Sequence, residues 1–201
     1  MLSPEESIKL AKTYGIAVPE YKIVKTCKEA EKFADRIGYP IVMKVCSSRI
    51  SHKTEVGGVF TDLRKEDLKE TFGKIMRLKP EGGVLVQKQV KGVETIVGGI
   101  RDAQFGPCIS FGTGGIFVEI LKDVNFRICP ISRKDAKEMV EETEVYKILK
   151  GYRGKKYDLN ELKKTLIKAS KMMVREKIRE LDINPLICSE KGAWAVDVRV
   201  N

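Results

Sequence analysis

The sequence has 201 residues, of which 42% are hydrophobic, so it can bury a substantial core in one domain or in two closely packed subdomains. Its formal net charge is +10 at pH 7, but the basic residues are mixed with 28 acidic ones and accompany no basic-aromatic module, so we expect no nucleic-acid partner. No stretch approaches the roughly 20 apolar residues of a membrane span, and we expect a cytoplasmic protein without a membrane partner.

Two amphipathic helices come first, and each begins with the sequence of a capping box. Ser3 precedes a predicted helix over residues 4–14 and has an acidic residue three positions on. Thr26 with Glu29 repeats this pattern and precedes a second predicted helix that ends at Gly38.

The middle of the chain alternates short apolar runs with turn residues, which is typical of strands. Two runs predict strands at residues 41–45 and 59–63, with a polar loop between them and a helix over residues 66–78 after them. Three further runs are separated by Gly and Asp turns, so we expect neighbouring antiparallel strands at residues 84–90, 94–101 and 107–111.

The last third of the sequence predicts two helices and a closing hairpin. The helices cover residues 133–149 and 160–176, and the strands cover residues 179–188 and 193–200. Strict alternation in the last strand predicts one apolar face, and the opposite face then carries Asp197 and Arg199. The apolar face would consist of Trp194, Val196, Val198 and Val200.

Mixed helices and strands without strict βαβ repetition predict an α+β architecture of two lobes. We expect a small lobe with the N-terminal helix at residues 1–80 and a larger, sheet-rich lobe at residues 81–201. A cleft between two such lobes is the natural place for a ligand.

Three oxygen-bearing side chains near the C-terminus could bind a hard cation. Asp182 and Asn184 lie two residues apart on a predicted strand, and the closing hairpin can return Asp197 beside them. Magnesium takes oxygen ligands, with one or two carboxylates from protein and the rest from water and phosphates. The alternative is that these are ordinary turn and edge-strand residues before Pro185.

Lys44 and the loop after it suggest a phosphate site. Lys44 lies within the apolar run 41–45, where a lysine is costly to bury unless it meets an anion. The loop at residues 47–58 contains hydroxyls, cations, Gly57, Gly58 and the single histidine, His52. An imidazole can accept and pass on a phosphoryl group, although a lone histidine can equally be a solvated loop residue.

A glycine-rich segment is the remaining candidate. Residues 111–115 read Phe-Gly-Thr-Gly-Gly, and glycines allow a backbone to approach a ligand closely. Such segments also occur as plain turns. Three polar residues follow it and could face a ligand: Glu119, Asp123 and Arg127.

Taken together, these segments resemble the ATP-grasp β subunit of ADP-forming acetate–CoA ligase, within the acyl-CoA synthetase (NDP-forming) and succinyl-CoA ligase superfamily. The match is collinear over nearly the whole chain. It is carried by residues 14–19, 40–44, 50–59, 105–107, 111–119, 182–186 and 196–199.

The resemblance implies an ATP-grasp fold with a nucleotide in the cleft between two lobes, and it implies roles for individual residues. Lys44 would bind nucleotide phosphates, beneath a loop that includes Gly57 and Gly58, and Glu94 would contact the ribose. Asn184 and Asp197 would hold Mg²⁺, with Asp182 close by.

The same resemblance matches His52 to a second phosphoryl carrier or phosphate-positioning group. Glu119, Asp123 and Arg127 would lie near the phosphates. The segment that reads the base would be Gln87, Lys88, Gln89 and Val90. Lys88 stands where the family commonly has an acidic residue, so backbone groups are the better candidates for base recognition.

The implied activity is phosphoryl exchange. The family converts an acyl-CoA thioester into an acyl phosphate, then into a phosphohistidine on an α subunit, and finally into ATP. We therefore expect Mg²⁺ and ATP or ADP as cofactors and an α subunit as partner, in an α2β2 assembly. Alternatives are a self-sufficient ATP-grasp carboxylate ligase and a non-catalytic nucleotide-sensing module.

Overall fold

A computed structural model describes residues 2–50, 53–115, 123–151 and 154–201. By internal contacts the chain divides into two units, one made chiefly of Pro19–Gln89 and the other of Glu6–Val18 with Val90–Asn201. The lobes proposed from the sequence, 1–80 and 81–201, differ from this grouping at two places. The contacts assign most of the first helix to the larger unit and residues 81–89 to the smaller one.

The smaller unit is a four-stranded antiparallel sheet with two helices. Its elements are β1 (Tyr21–Val24), α2 (Cys27–Ile37), β2 (Ile41–Cys46), β3 (Val59–Leu63), α3 (Leu68–Arg77) and β4 (Gly83–Lys88). The strands lie in the order β1-β4-β2-β3.

One face of this sheet forms a core with both helices. The β2 side chains of Ile41, Met43 and Val45 are buried in it against apolar positions of α2 and α3, including Phe33 and Ile75. The capping box predicted for α2 is present, because the Thr26 hydroxyl accepts from the N–H of Glu29. Alternation along β2 turns Val42 and Lys44 to the opposite face.

The larger unit is built on a second antiparallel sheet. Its first elements are α1 (Pro4–Thr13), β5 (Val93–Asp102), β6 (Gly106–Thr113) and β7 (Val124–Ile128). The others are α4 (Arg133–Glu141), α5 (Tyr146–Leu149), α6 (Leu159–Arg175), β8 (Glu180–Ser189), β9 (Gly192–Ala195) and β10 (Val198–Val200). The strands lie in the order β10-β8-β5-β6-β7, and β9 also pairs with β8.

Helix α6 supplies much of the larger core. Its Leu162, Leu166 and Met172 are fully buried and belong to one cluster with Ile109 and Phe111 of β6. The helix begins where predicted, since the Asp158 side chain accepts from the N–H of Glu161 at 3.0 Å.

Two strand predictions need correction. The strand predicted at residues 84–90 pairs with β1 and β2 in the smaller unit, so it is not a neighbour of the strands that follow it. Strands β1 and β7 were missed because each is only four or five residues long, although Val124, Phe126 and Ile128 of β7 do alternate with polar residues.

The single helix predicted over residues 133–149 is wrong, because the chain forms α4 and α5 with a break between them. At the break the Asp123 carboxylate accepts from the N–H groups of Glu144 and Val145, at 2.9 and 3.2 Å. These N–H groups are therefore not available to continue α4. The capping box predicted at its start, Ser132 with Asp135, is present.

The single strand predicted at residues 193–200 is also wrong. It is divided into β9 and β10, and the core takes Ala193 and Ala195 from the first but Val198 and Val200 from the second. Trp194 is therefore not on the core face, contrary to the predicted alternation.

Among the helices of the described residues, none combines the length and the apolar character that a membrane crossing requires.

Candidate functional site

Lys44 is a buried cation. It lies in β2 with a relative exposure of 6%, and its backbone pairs with Leu85 of β4 and Val59 of β3. Its side chain is on the sheet face that is turned away from the α2 and α3 core. A lysine is rarely this buried without an anionic or polar partner, so this position favours a charge-related role.

Gln87 shares that face and is the most unusual polar group of the smaller unit. It pairs with Val42 of β2, and it is fully buried. Neither its Nε2 nor its Oε1 has a hydrogen-bond partner among the described residues. A buried polar group left without a partner costs about 1–3 kcal/mol, so a ligand that bonds this amide would remove a penalty.

Lys44 and Gln87 are close neighbours in the sheet. Lys44 pairs with Leu85 and Val42 pairs with Gln87, so the two residues are diagonal neighbours on adjacent strands. Diagonal neighbours in an antiparallel sheet lie roughly 7–8 Å apart. The two side chains are therefore near neighbours on one face of the sheet.

The rest of the predicted base-reading segment is engaged within the protein. The Gln89 amide donates to the Asp62 carboxylate at 3.0 Å, and its Oε1 accepts from the Asp62 N–H at 2.7 Å. The N–H of Lys88 donates to the carbonyl of Glu20. The Lys88 side chain is exposed and Val90 is half-buried.

The loop after β2 is closed at its base. The N–H of Val45 donates to the carbonyl of Gly58, whose own N–H donates to the carbonyl of Lys53. A Cβ at Gly58 would lie 2.6 Å from a Val45 methyl, and Gly57 has a φ of +65°. Both glycines are therefore required by the loop itself. The predicted carrier His52 lies outside the described residues.

A residue that sequence reasoning missed fixes the first part of this loop. The Glu81 carboxylate accepts from the hydroxyl of Ser47 and from both the hydroxyl and the N–H of Ser48. No local sequence signal distinguishes Glu81, because a glutamate before two glycines reads as an ordinary turn.

The larger unit contains the predicted metal ligands. Asp182 of β8 pairs with Arg199 of β10 and with Gly98 of β5. Asn184 follows two residues later and is exposed, whereas the relative exposure of the Asp197 side chain is only 16%. An Asp197 oxygen lies 3.8 Å from an Arg199 nitrogen.

These residues suit magnesium better than a metal held by protein alone. Within the ranges described, no three acidic, histidine or cysteine side chains come together as a metal group. Two carboxylates and an amide would leave half of an octahedral shell open, and magnesium fills such positions with water and phosphate oxygens.

The glycine-rich segment is tightly packed against β5. The N–H of Gly114 donates to the carbonyl of Glu94, and a Cβ at Gly114 would lie 2.7–2.8 Å from the backbone of Thr95. A Cβ at Gly115 would lie 2.8 Å from a carboxylate oxygen of Glu94. Close backbone packing thus accounts for Gly114, and a φ of +73° accounts for Gly115. Glu119 lies outside the described residues.

Asp123 has a structural task. Besides the two N–H groups at the start of α5, its carboxylate accepts from the Thr113 hydroxyl. It thereby ties the end of β6 to the start of α5. Both oxygens are used within the protein.

Arg127 is held by a protein carboxylate. One guanidinium nitrogen lies 2.6 Å from a Glu142 oxygen, and another donates to the Phe126 carbonyl. The relative exposure of the Arg127 side chain is 28%. A phosphate would have to share or displace these contacts.

Comparisons with known proteins show which family this chain is similar to over its whole length. A family model described as ATP-grasp domain matches residues 1–201. The chain is 44% identical to the acetate–CoA ligase [ADP-forming] I subunit beta of Pyrococcus furiosus, over 97% of this chain and 89% of the relative. It is 43% identical to the acetate–CoA ligase [ADP-forming] II of Archaeoglobus fulgidus, but spans only 30% of that longer protein.

The fold is similar to that of the dinucleotide forming acetyl-coenzyme A synthetase 1 of Ca. Korarchaeum cryptofilum. Its complex with coenzyme A, Ca-AMPCP and HgCl+ has a TM-score of 0.90 at 40% identity and covers 99% of this chain and 92% of the other. A second complex, with coenzyme A and Mg-AMPPCP, has its phosphohistidine segment pointing towards the nucleotide binding site. It has a TM-score of 0.85 at 38% identity and covers 100% of this chain and 91% of the other.

Proposed function

Because this chain belongs to the ATP-grasp family, among relatives that are ADP-forming acetate–CoA ligase β subunits, we propose that it is the nucleotide-binding subunit of an ADP-forming acyl-CoA synthetase. The overall reaction is acyl-CoA with ADP and phosphate to the free acid, CoA and ATP. This chain would bind Mg-ADP or Mg-ATP and exchange a phosphoryl group with a phosphohistidine of its partner.

The observation that supports this most directly is the pair formed by Lys44 and Gln87. Lys44 is a buried cation, and the Gln87 amide near it is buried with no hydrogen-bond partner among the described residues. This pair suits a ligand that has both an anionic part and a hydrogen-bonding part. An adenine nucleotide has both. The Gln87 amide can donate and accept at once, which matches the paired acceptor and donor on the edge of adenine.

Phosphoryl transfer needs positioning and charge neutralisation more than covalent help from side chains. We assign the phosphates to Lys44 and the loop with Gly57 and Gly58. Asn184 and Asp197 would hold Mg²⁺, with Asp182 beside them. When bound, Mg²⁺ would neutralise phosphate charge. His52 as a second phosphoryl carrier, and Glu94 at the ribose, belong to the same proposal.

The contacts of Asp123 and Arg127 within the protein alter the roles that we propose for them. Asp123 already accepts three hydrogen bonds, so we assign it to holding the glycine-rich segment rather than to the nucleotide. Arg127 is kept as a candidate phosphate ligand that would leave Glu142 on binding. Glu119 remains proposed as a polar neighbour of the phosphates.

The proposed partner is an α subunit with CoA-binding and ligase domains. The relatives occur both as a separate β subunit and as a part of one longer chain, which supports a need for further domains. An α2β2 assembly in the cytoplasm is the form we propose.

Synthesis of ATP from acetyl-CoA, ADP and phosphate tests this function, with the chain alone and with its α-type partner. We expect ATP only from the mixture, and none when Lys44 is replaced by Ala. ATP from the chain alone would instead indicate a self-sufficient ligase. Nucleotide binding without any exchange in the mixture would indicate a sensing module.

A further inference from the structure

Glu81 joins two strands of the smaller unit at one end of the sheet. It lies just before β4, and its carboxylate accepts three hydrogen bonds from the residues that leave β2. These are the Ser47 hydroxyl at 2.7 Å, the Ser48 N–H at 2.6 Å and the Ser48 hydroxyl at 2.9 Å.

The connection continues on both sides of these contacts. The N–H of Arg49 donates to the Ser47 hydroxyl at 3.1 Å, so the order reaches one residue further into the loop. The N–H of Gly82 donates to the carbonyl of Cys46 at 2.9 Å, and a Cβ at Gly82 would lie only 2.7 Å from that oxygen. Glycine at position 82 is what lets Glu81 come this close to β2.

The side chain is suited to a permanent acceptor role. The hydrogen bond from Ser47, with others from the Glu81 backbone and Ser48, lowers the pKa of Glu81 to about 2. The carboxylate is therefore ionised throughout the neutral range. An ionised carboxylate is only an acceptor, which fits the three donors that meet it.

We infer that Glu81 is a positioning residue for the phosphate site, acting through Ser47 and Ser48. Lys44 lies on β2, three residues before Ser47, and Ser47 directly follows that strand. The contacts with Glu81 therefore fix the direction of the chain after Lys44. A loop held in place before binding loses less conformational freedom when a ligand arrives. This role rests on the proposed function, because it concerns the phosphates that Lys44 is proposed to bind.

The contact part of the inference is tested without any ligand. Amide hydrogen exchange in a peptide covering Ser48 and Arg49 should be slow in the wild type and faster in Glu81→Ala. Glu66→Gln is a matched control, because it removes an exposed carboxylate from the same unit. Unchanged exchange in Glu81→Ala would overturn the inference.

The functional part is tested by titration with Mg-ADP and, by displacement, with adenosine. We expect Glu81→Ala to weaken Mg-ADP binding by about 3–10-fold and to leave adenosine binding unchanged, because the cost falls on ordering the phosphate loop. Glu81→Gln keeps an acceptor oxygen and should recover much of the loss. The triple variant with Ser47→Ala and Ser48→Ala should bind no more weakly than Glu81→Ala alone.

The outcomes separate this inference from the function on which it rests. A wild type that binds no Mg-ADP would contradict the proposed function and this role with it. Mg-ADP binding that is lost in Lys44→Ala but unchanged in Glu81→Ala would overturn the positioning role alone. Equal loss for ADP and adenosine in Glu81→Ala would show general damage to the unit, and would also overturn it.

Discussion

Asn184 and Asp197 lie opposite each other across the paired strands β8 and β9–β10. Pairing is Ile183 with Val198 on one side and Leu186 with Ala195 on the other, and both fit one continuous register. That register places Asn184 against Asp197 at the interruption between β9 and β10.

Strand β8 changes its core face at this point. Its core side chains are Leu181 and Ile183 before Asn184, but Leu186 and Cys188 after it. In the partner strands the core side chains are Ala193 and Ala195 in β9 but Val198 and Val200 in β10, so their alternation changes at the same point. Two oxygen-bearing side chains are thus brought together where the regular alternation of both strands is broken.

This relationship predicts that Asn184 and Asp197 act on one Mg²⁺. Asp197→Ala and Asn184→Ala should each weaken nucleotide binding about tenfold or more in the presence of Mg²⁺, which corresponds to about 1.4 kcal/mol. Neither should alter binding without Mg²⁺. Titration calorimetry with and without the ion measures both, and additive effects in the double variant would contradict a shared ion.

Gln87→Met should separate stability from binding. The thioether has nearly the shape of the amide but no strong hydrogen-bonding group. Removing a buried amide that has no partner among the described residues should leave the free energy of unfolding unchanged or raise it by about 1 kcal/mol. Affinity for ADP should fall. Denaturant unfolding without ligand and titration with ADP measure the two effects. A less stable variant with full ADP affinity would mean that the amide serves the protein alone.

Asp123→Ala should lower stability more than it lowers nucleotide affinity. It removes the acceptor for Thr113 and for the two N–H groups at the start of α5, which should cost about 1–3 kcal/mol. Thermal and denaturant unfolding measure this loss. A fully stable variant that no longer binds Mg-ADP would contradict this structural role and would indicate that Asp123 contacts the nucleotide.

Arg127→Gln and Glu142→Gln form a matched pair. Each breaks the same partly exposed ion pair, so both should change stability by a similar amount of about 0–1 kcal/mol. If Arg127 also binds phosphate, only its own variant should lower the rate of phosphoryl exchange. Glu142→Gln should leave that rate unchanged or raise it, because it releases the guanidinium. Equal rates in both variants would assign Arg127 to the ion pair alone.

Much of the fold could be predicted from local patterns. Helices α2 and α6 begin at capping residues that can be recognised from the sequence, and strands such as β2 and β3 are bounded by turn residues. The break between α4 and α5 could not be predicted, because it depends on Asp123, some twenty positions earlier in the chain. The division between β9 and β10 likewise depends on the paired irregularity of β8, which is a tertiary feature.

The residues of the candidate site likewise differ in whether the sequence alone could predict them. Lys44 could be proposed because a lysine within an apolar strand is unusual by itself. It could not be predicted that Gln87 has no partner in the described part of the chain, since a glutamine in a strand is ordinary until its surroundings are known. Glu81 was missed for a related reason, because its three donors come from residues more than thirty positions away.

The most direct test of nucleotide binding is calorimetric titration of the purified chain with ADP in the presence and absence of Mg²⁺, using the wild type, Lys44→Ala and Asp197→Ala. We predict Mg²⁺-dependent binding by the wild type, loss of binding in Lys44→Ala, and binding weakened about tenfold or more in Asp197→Ala. Binding that is unaffected by either substitution, or a folded wild type that binds no nucleotide at all, would contradict the assignment.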